Sequence, residues 1–238
     1  MANIKQIILV LVGSALLIAG LTYLVSKNNA NRPQLEVSDE ISDIQAQPPL
    51  SPETLQDKEK LAITNTMNPI AVFKTNKGTF ELELFEDVMP ITVGNFTKLA
   101  KEGFYDGIKF HRIIDGFMIQ GGDPNTKTDN TASYGQGGPG FTIQDEFVEG
   151  EKLTNVRGSI SMANTGQPNS GGSQFFINTV DNTNLDFDKP PFTSKHPVFG
   201  HIIKGMDVID AISSVETGPG DVPTEPVVIE SVTIQSEG

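Results

Sequence analysis

One stretch of the chain combines a permanent cation, large apolar side chains and a neutral amide. It runs FHRIIDGFMIQGGD over residues 110–123. The pair Asp115-Gly116 is a hairpin-turn signal, and alternation along the two strands that it would join turns Arg112, Ile114 and Gln120 toward one face. Removing a cation from water onto an otherwise apolar sheet face costs free energy, so its presence there calls for an explanation. The combination suits a site that grips an apolar ring and polarises the amide attached to it.

Arg112 also has a simpler interpretation. Arginines are mostly exposed, and the chain offers 30 aspartates and glutamates as partners for a surface ion pair. This segment alone does not decide between a catalytic cation and a surface salt bridge. Residues elsewhere in the chain are needed to separate the two.

Composition excludes several classes of function. The 238 residues include no cysteine, which rules out a disulfide scaffold, thiol catalysis, zinc-thiolate sites and iron–sulfur clusters. From residue 69 onward we count 12 lysines and arginines against 23 aspartates and glutamates, an acidic excess of 11, without any basic run. Nucleic acid is therefore not an expected partner, because binding to phosphates needs clustered positive charge.

The N-terminal part predicts a membrane attachment. After a short tail at 1–6, residues 7–25 form an uncharged run of 19 residues (IILVLVGSALLIAGLTYLV), long enough to cross a bilayer as a helix. We interpret this run as a single-pass transmembrane anchor. The alternative is a cleaved signal peptide, whose apolar region is usually shorter. Because so short a tail precedes the run, we expect the rest of the chain on the extracytoplasmic side of the membrane.

Residues 26–68 predict a flexible linker. They are rich in proline, acidic and polar residues, with too little apolar material to form a core. The folded domain is then expected over residues 69–238.

Within that domain, local patterns indicate an all-β fold with two capping helices. Helical spacing predicts one helix from Pro90 up to Gly103 and a second over 206–214. Short apolar runs bounded by glycine, proline or asparagine predict strands at 70–74, 79–85, 110–114, 117–120, 141–143, 158–163, 174–178, 198–203 and 227–234. Many short strands with only two helices favour a closed antiparallel barrel or a sandwich.

Three later motifs separate the two interpretations of Arg112. They are GSISMAN over 158–164, GGSQFFI over 171–177 and HPVFG over 196–200. In this order, together with FHRIIDGFMIQGGD, they resemble the cyclophilin family of peptidyl-prolyl cis-trans isomerases from about Pro69 to Ser236. The resemblance implies a closed antiparallel eight-stranded β-barrel and proline-containing polypeptides as substrates. We expect a monomer that uses no cofactor and no metal.

The resemblance also implies a role for individual residues. Arg112 is the implied catalytic residue, and the implied walls and rim of the proline pocket are Phe117, Met118, Phe176, Leu185 and His196. The implied peptide-positioning residues are Gln120, Ala163, Asn164 and Gln174. From the residues alone, the phenylalanines and Met118 would equally suit a core, and Asn164 and Gln174 an ordinary polar surface.

The chain departs from the family pattern beside the pocket. Asn184 stands where many cyclophilins carry a tryptophan just before the pocket leucine, and the loop Asp186 to Lys195 is longer than the short turn common in the family. Losing the indole donor should weaken cyclosporin-type ligands without impairing turnover.

The expected reaction needs no nucleophile or general base. Rotation about an Xaa-Pro bond is slow because amide resonance must be broken, and the twisted prolyl nitrogen regains a lone pair that can accept a hydrogen bond. A guanidinium aimed at that nitrogen favours the transition state. The expected function is thus a membrane-tethered isomerase that assists protein folding. The alternative is a non-catalytic proline-binding module or chaperone that uses the same groove.

Overall fold

The computed structural model describes residues 68–235. The predicted tail at 1–6, the anchor at 7–25 and the linker at 26–68, except for its last residue, lie outside the described residues. Within 68–235, no helix is both long enough and apolar enough to cross a membrane.

The described chain folds into eight strands and two helices. In chain order they are β1 (Ile70–Thr75), β2 (Gly78–Leu84), α1 (Pro90–Lys101), β3 (Arg112–Ile114), β4 (Met118–Gly121), β5 (Ser159–Met162), β6 (Phe175–Asn178), β7 (Val198–Lys204), α2 (Met206–Ser213) and β8 (Ile229–Gln235). Short 3₁₀ turns lie at Pro124–Lys127, Thr131–Ser133, Thr183–Leu185 and Pro219–Asp221. The prediction of an all-β fold with two helices is confirmed.

All eight strands belong to one antiparallel sheet, in the order β3-β4-β6-β5-β7-β2-β1-β8. The prediction of a closed barrel is wrong, because β3 and β8 at the two ends of this order do not pair. The chain just before β3 meets the chain around the start of β8 through separate backbone bonds, Phe110 N–H to Val227 O (2.9 Å) and Ile229 N–H to Ile108 O (2.8 Å). We call this line of contact the seam.

Asn76 in the β1–β2 turn holds the side of Val228 that faces away from the seam. Asn76 binds both backbone groups of Val228, since its N–H donates to Val228 O (3.1 Å) and its Oδ1 accepts from Val228 N–H (2.9 Å). Val228 lies opposite Lys109 across the seam. The seam bonds come instead from Val227 and Ile229, whose backbone groups face the opposite side of the strand, and within the described chain the pairing is limited to this one bridge.

Two local predictions also need correction. Residues 141–143 are not a strand: Ile143 N–H donates to Gly171 O (2.9 Å), but no ladder forms around this bond in the described chain. The β3–β4 hairpin turns at Asp115-Gly116 as predicted, but its loop also includes Phe117, because Ile114 pairs with Met118. Phe117 therefore lies in the loop and not in either strand.

The main core packs α1 against the sheet around a group of stacked rings. Phe73 and Phe80 lie 4.8 Å apart, and Phe96 of α1 lies 5.0 Å from Tyr105, between ring centroids in both cases. All four side chains are fully buried. The N-terminus of α1 is capped from a distant loop by the carboxylate of Glu146, which accepts from the N–H groups of residues 91 (3.1 Å) and 92 (2.9 Å).

A second, smaller apolar cluster lies apart from this core. Its buried members are Met118, Phe176 and Leu185, and Ile114, Phe117 and Ala163 pack against them. This cluster contains the predicted pocket walls, so these side chains are not part of the main core.

Candidate active site

The second cluster surrounds a cavity of about 200 Å³. We call it the proline pocket, after the role that the sequence resemblance implies for it, and it is lined by Arg112, Phe117, Met118, Gln120, Ala163, Asn164, Phe176, Leu185 and His196. Every predicted site residue except Gln174 is therefore brought to one cavity, from segments that lie far apart in the sequence.

Strand register brings the polar and apolar parts of the pocket together. Arg112 on β3 lies opposite Gln120 on β4, and Gln120 lies opposite Phe176 on β6. Because side chains alternate along a strand, these three face the pocket, while the neighbouring Ile113 and Ile119 point into the main core and are fully or almost fully buried.

Arg112 is both a pocket residue and a member of a surface ion pair, so both interpretations of the sequence apply to it. It lines the pocket, and its Nε also lies 3.4 Å from Oδ2 of Asp221. Its side chain is 42% exposed. Among residues 68–235, the two terminal amino groups of the guanidinium have no hydrogen-bond partner, so they remain available to a ligand.

The pocket walls are apolar and held by a buried polar network beneath them. Asn178 Nδ2 donates to Asn155 Oδ1 (3.0 Å), and Asn182 Nδ2 donates to Asn178 Oδ1 (2.8 Å). Two further hydrogen bonds connect this network to pocket residues. Asn182 Nδ2 donates to Phe117 O (2.8 Å), and Asn155 Nδ2 donates to His196 O (3.0 Å). All three asparagines are buried, so the network fixes two wall segments from inside the protein.

His196 forms the rim of the pocket as a neutral ring. It packs edge-on against Phe176 at 5.3 Å between centroids, and its Nδ1 lies 3.2 Å from Met162 O. Burial lowers the pKa of His196, and the bond to Met162 O opposes this shift only in part. The imidazole therefore contributes shape and polarity near neutral pH rather than charge.

Gln174 lies outside the proline pocket, in an adjoining groove of about 490 Å³ that also contains Gln120, Ala163 and Asn164. Gln120 Nε2 donates to Gln174 Oε1 (3.1 Å). Gln174 Nε2 in turn donates to Gly135 O (3.0 Å) and Gly137 O (2.8 Å). The side-chain oxygen of Gln120 is thereby directed away from Gln174.

The side chain of Asn164 forms hydrogen bonds with backbone groups of two other residues. Its Nδ2 donates to Lys195 O (2.7 Å) and its Oδ1 accepts from Gly166 N–H (3.0 Å). Within the described residues its own backbone groups enter no hydrogen bond. The part of Asn164 that is free to bind an extended peptide is therefore its main chain.

His111 lies directly before Arg112 and is almost completely buried. Burial lowers its pKa to about 4; Asp123 opposes this shift, and the charge of Arg112 adds to it. Neither ring nitrogen has a hydrogen-bond partner in residues 68–235. The imidazole is therefore neutral near pH 7.

Sequence reasoning missed two contributors to the site. The glycine-rich stretch SYGQGGPG over residues 133–140 carries no local signal of a role in the site, yet the carbonyls of Gly135 and Gly137 orient Gln174. Asp221 was not singled out, because Pro219-Gly220-Asp221 is an ordinary turn signal and nothing local marks it as a partner of Arg112. Asn184 is exposed in its 3₁₀ turn and does not line the pocket.

Known proteins share this fold and these segments. The profile described as "Cyclophilin type peptidyl-prolyl cis-trans isomerase/CLD" matches residues 70–234. Peptidyl-prolyl cis-trans isomerase B of Escherichia coli is 42% identical over 172 residues, which cover 69% of this chain and 99% of that protein. A longer Streptococcus pyogenes protein, whose name combines a phosphatase with a peptidyl-prolyl cis-trans isomerase, is 42% identical over 208 residues; the match covers 76% of this chain and 42% of that protein.

A solved structure agrees with these relatives. A cyclophilin-type peptidyl-prolyl cis-trans isomerase of Cryptosporidium parvum, crystallised in the presence of the dipeptide Ala-Pro, superposes with a TM-score of 0.60 at 30% identity. The match covers 71% of this chain and 99% of that one. Since profile, relatives and fold agree over the segment that builds the pocket, the chain belongs to the cyclophilin-type peptidyl-prolyl cis-trans isomerases.

Proposed function

We propose that Arg112 accelerates Xaa-Pro rotation by stabilising the twisted transition state. In the planar imide the prolyl nitrogen is not an acceptor, but at the midpoint of rotation it carries a lone pair. A guanidinium is always protonated and presents fixed donors, so its bond to that nitrogen strengthens only in the transition state. The observation that carries the proposal is that Arg112 lines the apolar pocket with two amino groups unengaged by the described residues.

The pocket walls contribute in two ways. Phe117, Met118 and Phe176 would hold the pyrrolidine ring while the rest of the substrate turns. They would also exclude water, and in a less polar environment the contact between Arg112 and the substrate is stronger.

The proposed substrates are proline-containing polypeptides in an extended conformation. The Cryptosporidium parvum relative was crystallised in the presence of Ala-Pro, which supports this class of ligand. A longer peptide could continue from the pocket along Ala163 and Asn164 into the groove that contains Gln174, because both cavities share these residues. Gln120 and the main chain of Asn164 would align it.

The direct test compares Arg112→Ala with the unaltered chain in an isomer-exchange assay on an Ala-Pro peptide. We expect kcat to fall at least ~10-fold, because a positioned donor that stabilises developing charge is worth roughly 2.7 to 4 kcal/mol. Arg157 offers a matched control, since it is similarly exposed and ion-paired with Asp210 but does not line the pocket. Arg157→Ala should retain activity, whereas equal rates for Arg112→Ala and the unaltered chain would exclude the mechanism.

We further propose that the enzyme is a monomer anchored by residues 7–25, with its domain on the extracytoplasmic side, where it assists the folding of nearby proteins. The uncharged run of 19 residues supports the membrane attachment. The acidic excess of the domain makes attraction of its own surface to anionic lipid unfavourable, so attachment would rest on the N-terminal segment.

A further inference from the structure

The ion pair between Arg112 and Asp221 suggests a role for a residue outside the pocket walls. We propose that Asp221 is a positioning residue that orients the Arg112 guanidinium for isomerisation. This inference depends on the proposed role of Arg112. Asp221 does not line the proline pocket, so it would act on the substrate only through Arg112.

The loop that carries Asp221 has a defined shape. Gly218 N–H donates to Val222 O (2.8 Å), and Asp221 N–H donates to Gly218 O (3.1 Å). Thr217 and Pro223 form a bridge at the base of the loop. These bonds hold the carboxylate at a fixed place beside β3, from which it reaches the guanidinium.

The backbone of Asp221 is itself unusual. Its φ is +60°, in the left-handed region that few residues other than glycine adopt. Aspartate and asparagine tolerate this region better than most residues, because their short polar side chains interact with local backbone. A turn of this shape could use glycine, as it does at Gly220 (φ +75°), so a carboxylate here needs another explanation. The bond to Arg112 supplies one.

Arg112 needs an external constraint because of where it lies. Among residues 68–235, β3 is three residues long and pairs with β4 alone, so one side of the strand has no ladder there. The long side chain is 42% exposed and would otherwise sample several rotamers. A partner at Nε restricts the plane of the guanidinium and leaves both terminal amino groups pointing elsewhere.

The same carboxylate has an opposing effect. Its negative charge reduces the positive potential that Arg112 presents to the prolyl nitrogen. At 3.4 Å the pair is longer than a tight charge-assisted bond of about 2.7 to 2.9 Å, and both partners are partly exposed to water. We therefore expect the orienting effect to be modest but larger than the neutralising effect. The two effects predict opposite changes in kcat when the charge is removed.

The experiment measures kcat and KM on an Ala-Pro peptide for Asp221→Asn and Asp221→Gly in the full chain. Asparagine keeps the size and the left-handed backbone but removes the charge; glycine removes the side chain and relaxes the backbone. We expect kcat to fall by about fivefold in both variants with KM nearly unchanged, the size typical of a partly exposed ion pair. Asp210→Asn, which breaks the similarly exposed pair with Arg157, is the matched control and should leave kcat unchanged.

A spectroscopic measurement separates positioning from a general effect on structure. In the unaltered chain, the Nε–H of Arg112 should give a slowly exchanging NMR signal, which should exchange faster in both Asp221 variants. The Nε–H signal of Arg157 should stay the same. Urea unfolding of each variant would show whether a loss of activity reflects a loss of fold.

A double-mutant cycle keeps this inference distinct from the proposed function. If Asp221 acts through Arg112, then Asp221→Asn should cause no further loss in the Arg112→Ala background. An unchanged or increased kcat in both Asp221 variants, while Arg112→Ala is inactive, would overturn the positioning role and leave the role of Arg112 intact. Full activity of Arg112→Ala would overturn both.

Discussion

At the scale of single residues, His111 shows how burial makes stability depend on pH. Its pKa is about 4 in the folded chain and near 6.5 when unfolded, so between these values only the unfolded chain binds the proton. Stability is therefore lost as the pH falls through this window, by roughly 3 kcal/mol in total at ~1.4 kcal/mol per pH unit. We predict that His111→Phe removes this part of the pH dependence, as measured by urea unfolding at pH 7 and pH 4.5.

The substitution suits this purpose because neither ring nitrogen of His111 has a hydrogen-bond partner in the described chain. Phenylalanine fills a similar volume and leaves no broken bond at pH 7. The lowered pKa of His196 is retained in the variant, so a smaller pH dependence should persist. An undiminished loss of stability on acidification would show that His111 does not stay neutral in the folded protein.

The resemblance carried by the four ordered motifs was enough to predict which residues line the proline pocket, but not the environment of Arg112. Met118, Phe117 and Phe176 could have been core by their types alone, and only the fold places them in a separate cluster. Asp221 lies 109 residues after its partner, and no local pattern connects the two. A contact of this kind depends on tertiary structure, which periodicity does not report.

At the scale of elements, β6 joins the core to the pocket through one buried asparagine. Asn178 donates to Asn155 Oδ1 and Ser159 Oγ (2.9 Å) and accepts from Asn182. We predict that Asn178→Ala destabilises the fold by about 2 to 4 kcal/mol, because each buried group left without its partner costs roughly 1 to 3 kcal/mol. Urea unfolding at neutral pH would measure the change.

The matched control is Asn184→Ala. This asparagine is exposed, so its removal should change the unfolding free energy by no more than about 0.5 kcal/mol. Equal stabilities for the two variants would mean that the network beneath the pocket is not a stabilising connection.

Strand positions followed from alternation and turn signals, whereas the closure of the sheet did not. The register of β3 and β4 places Arg112 opposite Gln120, in agreement with the shared face predicted from sequence. Whether the sheet closes depends on the pairing of its first and last strands, β3 and β8, and alternation within each strand does not report that pairing. The prediction of a strand over 141–143 was wrong because, within residues 68–235, this run makes a single backbone bond to Gly171 and enters no ladder.

At the scale of the whole molecule, the proposed anchor can be tested by fractionation. We predict that the full chain remains with membranes after a high-salt wash, whereas a chain that starts at residue 69 is soluble and equally active. An uncharged helix long enough to cross the bilayer is not released by salt, and an acidic domain has no electrostatic reason to bind. Protease added to intact spheroplasts should remove the domain if it lies outside.

The signal-peptide alternative predicts a different result. The mature chain would then be shorter by its N-terminal segment, which mass measurement would detect, and it would be found in the soluble fraction. Protection of the domain from added protease, with lysed cells as the positive control, would reverse the proposed sidedness.

The seam should determine where the sheet opens locally. Local opening is expected where regular strand pairing is absent, and the seam that lacks it borders β3, the strand of Arg112. The half of the sheet built from β1, β2, β7 and β8 can stay intact while the other edge loosens. Among the strands, amide exchange should therefore be fastest in β3, next to Arg112.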